Sequence, residues 1–258
     1  MCTIVILRRP GHAWPVLIAA NRDEMADRAW HPPGRHWPEH PAVVAGRDDL
    51  AGGTWLGLND HGVVAAVLNR INTLGPAPGF RSRGELPLMA LDYADARSAV
   101  AALGRLHPAD YRPFNMIVVD RDDGYWLRVD HDRSGSGSDD AGTMTVDRLP
   151  AGLSMITAYD LNDLRSPRIR CYLPQFEAAP VPDPASGDWK SWRQLLGERA
   201  GEADAGPGGA MTVATLTGFG TVCSTLIALP GAAGAERTTC WLFAAGPPDR
   251  VPFTPIAP

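Results

Sequence analysis

Apolar residues along this chain cluster in short runs of strand length, and in two further stretches with helical spacing. A first group of runs occupies residues 3–7, 15–20, 54–58, 63–69, 114–119 and 125–129, bounded by turn formers and rich in β-branched residues. A second group lies at 143–146, 153–157, 221–229 and 238–244. GLNDHG, residues 57–62, puts Asn-Asp-His-Gly between two apolar runs, and DRDDG, residues 120–124, does the same, so both predict hairpins. Between residues 85 and 106, apolar positions at Leu86, Met89, Ala90 and Tyr93, then Val100, Leu103 and Leu106, predict one buried stripe on each of two helices. Ser82, with Glu85 three residues on, predicts a capping box for the first of them. Further helices are predicted over 166–176 and 189–199. Antiparallel strands with helices in separate blocks predict an α+β fold rather than alternating βαβ units.

Residues 131–142, HDRSGSGSDDAG, and 201–210, GEADAGPGGA, read as mobile loops. Strand-like runs continue beyond both, so neither marks a boundary, and a single domain over residues 1–258 is expected. A chain of 258 residues with 45% hydrophobic and 21% charged residues can bury a substantial core. Its net charge of −5 comes without a basic block, which leaves no footprint for nucleic acid. MCTIVILRRP is apolar before it is basic, the reverse of a secretory signal, and too short to span a bilayer. The four cysteines, Cys2, Cys171, Cys223 and Cys240, form no CxxC pair, which argues against a zinc ribbon or a disulfide framework and predicts a reducing cytoplasm. Cys171, Cys223 and Cys240 lie in apolar segments and read as core residues. HPPGRHWPEHP, residues 31–41, holds three histidines, but prolines keep it extended and the spacing suits no ligand set, so a loop lining or covering a cleft is expected there, and no metal. GGTWLG lacks the Lys-Ser/Thr of a phosphate loop and opens no helix, so Gly52 and Gly53 predict a turn and Trp55 a core position.

Cys2 carries the first candidate chemistry. Removal of Met1, the usual processing before a small residue, would leave a thiol and a free α-amine on one carbon. Unperturbed, these have pKa values of about 8.5 and 7.7–8.0. The amine can therefore serve as base for the thiol, which makes Cys2 nucleophile and general base at once. The alternative is a small apolar residue opening a strand. The apolar run 16–20 then stops at Asn21-Arg22-Asp23-Glu24. Polar groups at the end of a buried strand need partners. Arg22 and Asp23 (or Glu24) can pair with each other, or Asp23 can hold the Cys2 ammonium and tune it. Asn69 also ends an apolar run, where a side-chain amide can be an oxyanion donor or a turn cap.

With these elements in place, the chain resembles the NRDE family, also described as transport-and-Golgi-organisation-protein-like. The resemblance rests on MCTIVI, LIAANRDE at 17–24, GGTWLGLNDHGVVAAVLNR at 52–70, SRGELP at 82–87 and RPFNMIVVD at 112–120. It continues more loosely through GLSMITAYDLNDLRSPR at 152–168 and GFGTVCSTLIAL at 218–229. That family is similar to the N-terminal nucleophile hydrolases, in the branch of bile salt hydrolases and penicillin V acylases. The resemblance implies a four-layer αββα sandwich. It implies Cys2 as nucleophile, Asp23 orienting its amine and thiol, Arg22 as a nearby charge and Asn69 as oxyanion donor. Asn21, Glu24, Thr157 and Arg83 complete the candidate set as substrate-binding residues. No metal or cofactor is implied. The branch's later Asn falls near SMITAY, where this chain has Thr157 and Tyr159, with Asn162 further on. Its late Arg falls in GTVCSTLI, at Val222 and Cys223. Two functions follow as expectations. One is an amidohydrolase cleaving a linear C–N bond of a small substrate. The other is a non-catalytic binding or trafficking protein for a hydrophobic ligand such as haem or a lipid, contacted by Cys2 or by His61. Neither reading sets the oligomeric state.

Overall fold

In the computed structural model, which describes residues 2–130, 143–201, 205–232 and 237–257, the apolar runs become strands. In chain order these are β1 (Thr3–Arg8), β2 (Val16–Met25), β3 (Trp30–Gly34), β4 (Val43–Asp48), β5 (Leu56–Asn59), β6 (Val64–Asn69), β7 (Phe114–Val119), β8 (Gly124–Asp130), β9 (Thr143–Arg148), β10 (Gly152–Ile156), β11 (Phe219–Leu229), β12 (Cys240–Ala244) and β13 (Thr254–Pro255). The helices are α1 (Glu85–Leu91), α2 (Ala96–Leu103), α3 (Pro167–Ala178) and α4 (Lys190–Gly197). The fold is α+β, as the separate blocks of strands and helices predict, and all strand pairs are antiparallel. The chain gathers into two compact units, Met1–Ala29 with Pro150–Pro258, and Trp30–Leu149.

The first unit holds a six-stranded sheet in the order β10-β1-β2-β11-β12-β13. β2 and β11 pair over nearly their full length, from Phe219 opposite Met25 to Leu229 opposite Val16. Alternation sends Val5 and Leu7 of β1, Leu17 and Ala19 of β2, and Leu226 and Ala228 of β11 into one cluster with Ile169, Tyr172 and Phe176 of α3 and Trp192 and Leu196 of α4. α3 begins where Ser166 accepts a hydrogen bond from Ile169 N (3.4 Å) and Pro167 fills the first helical position. Pro174 sits on its exposed side, where water can satisfy the carbonyl left without an amide partner. Burial raises the Tyr172 phenol to about 12, and its hydroxyl donates to the Ala200 carbonyl.

The second unit holds a seven-stranded sheet in the order β3-β4-β5-β6-β7-β8-β9. Its core joins Val43, Ala45, Val63, Ala65, Phe114, Met116 and Val118 of the sheet to Leu86, Ala90 and Leu91 of α1 and Val100 and Leu103 of α2. Asn59, at the corner of the predicted hairpin, accepts from the amides of His61 (3.1 Å) and Val63 (2.9 Å) and donates to the carbonyls of Leu91 (2.8 Å) and Tyr93 (2.7 Å) at the end of α1. A Cβ on Gly53 would lie 2.4 Å from the Gly84 carbonyl carbon, so GGTW and SRGE meet backbone to backbone. Thr54 N donates to Gly84 O there (2.9 Å).

Several sequence expectations are corrected. The strand expected to end at Ala20 runs on through Asn21, Arg22, Asp23 and Glu24 to Met25, because β11 is long enough to pair with it. The proline-bearing segment after Trp30 is partly an edge strand, β3, rather than only a loop, and proline is tolerated there because an edge amide need not enter the ladder. β4 and β13 were not anticipated. The capping box at Ser82 does not form. The N-cap of α1 is Gly84, Ser82 Oγ accepts from its amide (3.2 Å), and Glu85 instead accepts from the Tyr111 hydroxyl (2.6 Å) and pairs with Arg81. Tyr93, expected on the α1 stripe, lies beyond the helix and is exposed. Of the stretches expected to be loops, 131–142 and 202–204 lie outside the described residues.

Candidate functional site

Cys2 enters the fold one residue before β1 and is half-buried. Its neighbourhood is set by sheet register. Thr3 lies opposite Asn21 on β2, Asn21 opposite Ser224 on β11, Arg22 opposite Cys223, and Asp23 opposite Thr221. Val222 is left over as a bulge between Thr221 and Cys223. The Cys2 thiol donates to the main-chain carbonyl of Asp23 at 3.6 Å.

The Asp23 carboxylate is fully buried and both of its oxygens are engaged. Oδ1 accepts from Thr221 Oγ1 at 2.6 Å, and Oδ2 from Arg168 Nη1 at 3.0 Å. The same Arg168 nitrogen donates to Thr3 Oγ1 at 2.6 Å. Both members of the Arg168–Asp23 pair have side chains 0% exposed. Thr221 Oγ1 in turn accepts from Val213 N at 2.9 Å, which leaves its own proton for Asp23. Burial raises the Cys2 thiol above its ordinary value, the Asp23 carboxylate adds to the rise, and the Arg22 guanidinium opposes it. Burial also raises Cys223, with Arg22 again opposing and the Cys2 and Asp23 charges adding. Both thiols thus lie within the opposing fields of Arg22 and Asp23. A nucleophile that must ionise here needs a local base and a stable arrangement of these charges.

The remaining expected residues fall in three places. Asn21 is buried and holds the strand: its amide donates to Leu196 O (3.0 Å) and Met211 O (2.9 Å) and accepts from Ser224 Oγ (2.7 Å). Glu24 accepts from Met25 N (2.9 Å) and faces Arg28 at 3.7 Å. Thr157, buried just beyond β10, donates to Ser166 Oγ (3.2 Å) at the start of α3. Asn162 has a left-handed backbone (φ 55°) and accepts from Met155 N at 2.7 Å. Asn69 and Arg83 belong to the second unit. Asn69 closes β6 opposite Phe114 and is half-buried. Arg83 donates to Thr73 Oγ1 (2.9 Å) and to the carbonyls of Thr73 (2.7 Å) and Pro113 (2.9 Å). Met1 lies outside the described residues.

Sequence reasoning missed Arg168, Thr3 and Thr221. Arg168 is 145 positions from Asp23 in a segment that reads as an ordinary capped helix start, so no spacing rule reaches it. The available signal was the carboxylate itself, since a buried Asp demands a cation. The histidines of 31–41 have separate partners: His31 faces Asp49 (3.1 Å), His36 the Pro32 carbonyl (2.8 Å) and His40 Asp92 (2.6 Å). Among the described residues no three His, Cys, Asp or Glu side chains converge as a metal site, and no helix is long and apolar enough to cross a membrane.

The family model described as Transport and Golgi organisation 2 matches residues 1–152. A Transport and Golgi organization protein 2 homolog of Bos taurus is 34% identical over 123 residues, 42% of this chain and 40% of that protein. The Mus musculus homolog is 32% identical over 119 residues, with the same shares covered. The match to these relatives thus spans about 40% of their length. In fold the chain is similar to a Caenorhabditis elegans N-acylethanolamine-hydrolyzing acid amidase ortholog, with a TM-score of 0.51 at 14% identity over 92% of this chain and 98% of that one. A C2A mutant of the conjugated bile acid hydrolase from Clostridium perfringens gives a TM-score of 0.49 at 10% identity over 100% and 97%. The amidase likeness shows a shared fold, and at 14% identity it shows the fold alone.

Proposed function

The chain belongs to the Transport and Golgi organisation 2 family, and within it we propose a cysteine amidohydrolase of the N-terminal nucleophile kind. Removal of Met1 exposes the Cys2 amine. That amine takes the proton of its own thiol, and the thiolate sulfur bonds to the carbonyl carbon of a linear amide in a small substrate. Asn69, with a neighbouring main-chain N–H, holds the oxyanion of the tetrahedral intermediate. The ammonium returns the proton to the leaving nitrogen as the C–N bond breaks, leaving a thioester. Water then attacks the thioester, giving its proton to the amine and releasing the acid and the free thiol. Asp23 orients the amine and the thiol, Arg22 supplies a nearby positive charge, and Glu24 and Arg83 bind substrate, while Asn21 and Thr157, buried and engaged, hold β2 and the start of α3. A free thiol at Cys2 fits a reducing compartment, and the cytoplasm is the one proposed.

The observation that carries this reading is the Cys2 thiol at 3.6 Å from the carbonyl of a residue whose carboxylate is buried and locked by Arg168 and Thr221. Intact mass and peptide-resolved thiol labelling at neutral pH test it. The expected result is a mature chain lacking Met1, with Cys2 modified faster than Cys171 and Cys240, and a covalent acyl adduct that C2A abolishes. N69A is expected to lower kcat by about 10²–10³. Retained Met1 with a slow Cys2 would overturn the enzymatic reading in favour of a carrier.

A further inference from the structure

Arg168 stands in the first turn of α3, next to the positive end of the helix dipole, and is buried without exposure. Both features weigh against a cation there. A buried ion pair of this kind is commonly no more stabilising than two apolar side chains of the same volume. Packing alone therefore does not call for it. What the pair does is geometric. One nitrogen, Nη1, donates to Thr3 Oγ1 (2.6 Å) and to Asp23 Oδ2 (3.0 Å). Thr3 follows Cys2 directly, and Asp23 is the residue whose carbonyl accepts the Cys2 thiol. The second carboxylate oxygen is fixed by Thr221, itself held by Val213 N, so Asp23 has no freedom to swing away.

We infer that Arg168 is a positioning residue for Cys2: through one guanidinium nitrogen it aligns the two residues that adjoin the thiol and balances the Asp23 charge beside it. The inference rests on the reading of Cys2 as nucleophile and adds a residue to it. Among the described residues, the charged and titratable groups facing Cys2 are Asp23 and Arg22 on β2 and Cys223 on β11, with Arg168 acting from α3 through Asp23, and beside them the chain's α-amine, which favours the thiolate. With Arg168 present, the carboxylate charge is compensated 3.0 Å away. Without it, the full negative charge bears on the thiol and opposes its ionisation.

The test is the pH dependence of Cys2 modification, read on its own peptide by mass spectrometry, in the full chain carrying R168M, R168K or R168Q. R168M is expected to move the midpoint up by about 1 pH unit, a roughly tenfold slower reaction near neutrality. R168K, which keeps the charge, is expected to hold the midpoint near that of wild type. A purely structural role would change the rate alike at every pH and leave the midpoint in place, so an unmoved midpoint in R168M overturns the inference. So does a shift in R168K as large as in R168M. Should R168M fail to fold, R168Q decides: it keeps hydrogen-bond donors toward Thr3 and Asp23 without the charge, so its midpoint is expected to move up, and no movement overturns the inference. The midpoint is read from the shape of the curve, so a slow wild-type thiol would sink the nucleophile reading while leaving this inference to be judged on the shift.

Discussion

Two strands in this molecule end their apolar runs with the same dipeptide. β2 carries Asn21-Arg22 in the first unit, and β6 leads into Asn69-Arg70 in the second. Their fates differ. β11 is eleven residues long and pairs with β2 past the dipeptide, so Asn21, Arg22 and Asp23 stay in the sheet and are buried. β7 offers Phe114 as its last partner to β6, so the ladder stops at Asn69. Arg70 then turns to the Asn115 side chain (2.7 Å) and to Asp130 (2.6 Å), whose side chain is 53% exposed. The length of the neighbouring strand, and not the dipeptide, decides whether a charge is desolvated. That decision sets what each ion pair is worth. A wholly buried pair cannot lose one member without leaving the other uncompensated, whereas water can replace a lost partner at the exposed end.

The largest effect expected from this difference is on the buried pair. D23A leaves Arg168 without its carboxylate and is expected to lower unfolding free energy by about 3–5 kcal/mol, read from urea midpoints. Replacing both members together, as R168M with D23L, is expected to recover most of that loss, because the desolvation penalty goes with the charges. The same double variant is expected to lose Cys2 reactivity. Recovery of stability without recovery of reactivity would assign the pair to the site rather than to the fold. A double variant no more stable than D23A would mean that the fold itself needs the charges.

Next in size is the alkaline effect of a buried thiol, which belongs to the first unit, since no cysteine falls within residues 30–149. Burial raises the Cys223 thiol in the folded chain. Unfolded, it ionises at about pH 8.5. Above that value the folded state keeps a proton that the unfolded state releases, so this contribution to stability is complete below pH ~8.5 and is lost as pH rises. The slope is about 1.4 kcal/mol per pH unit for one thiol. C223A is expected to shallow the fall in urea midpoint between pH 8 and pH 10, whatever fixed loss its small cavity brings. An unchanged slope would place Cys223 in contact with water.

What was legible in the sequence follows the same division. β7 matches its expected span residue for residue, because an apolar run broken only by Asn115, with turn formers at both ends, admits one reading. α3 announces itself through Ser166-Pro167, a cap and a first-turn proline. β3 escaped notice because prolines at positions 32 and 33 hide an edge strand, which only needs the ladder on one side. The continuation of β2 through four polar residues was hidden because its justification lies in partners from β11 and α3, nearly two hundred and about 145 positions away. Cys2 and Asp23 could be named from residue chemistry and from resemblance. Arg168 could not, because a buried cation in a helix start looks in sequence like any exposed one.

The smallest effect sharpens the comparison from its other side. D130A removes the exposed partner of Arg70 but leaves the guanidinium its bond to Asn115 and access to water. A loss of about 0–1 kcal/mol is expected, shrinking further as salt is raised because the pair lies where counterions reach it. The loss in D23A is expected to change little over the same salt range, since a pair with no exposed side-chain surface is poorly screened. Measuring both variants at low and high salt separates the two environments by response rather than by size. Equal salt sensitivity would mean that water reaches Asp23, and the rigid support argued for Cys2 would go with it.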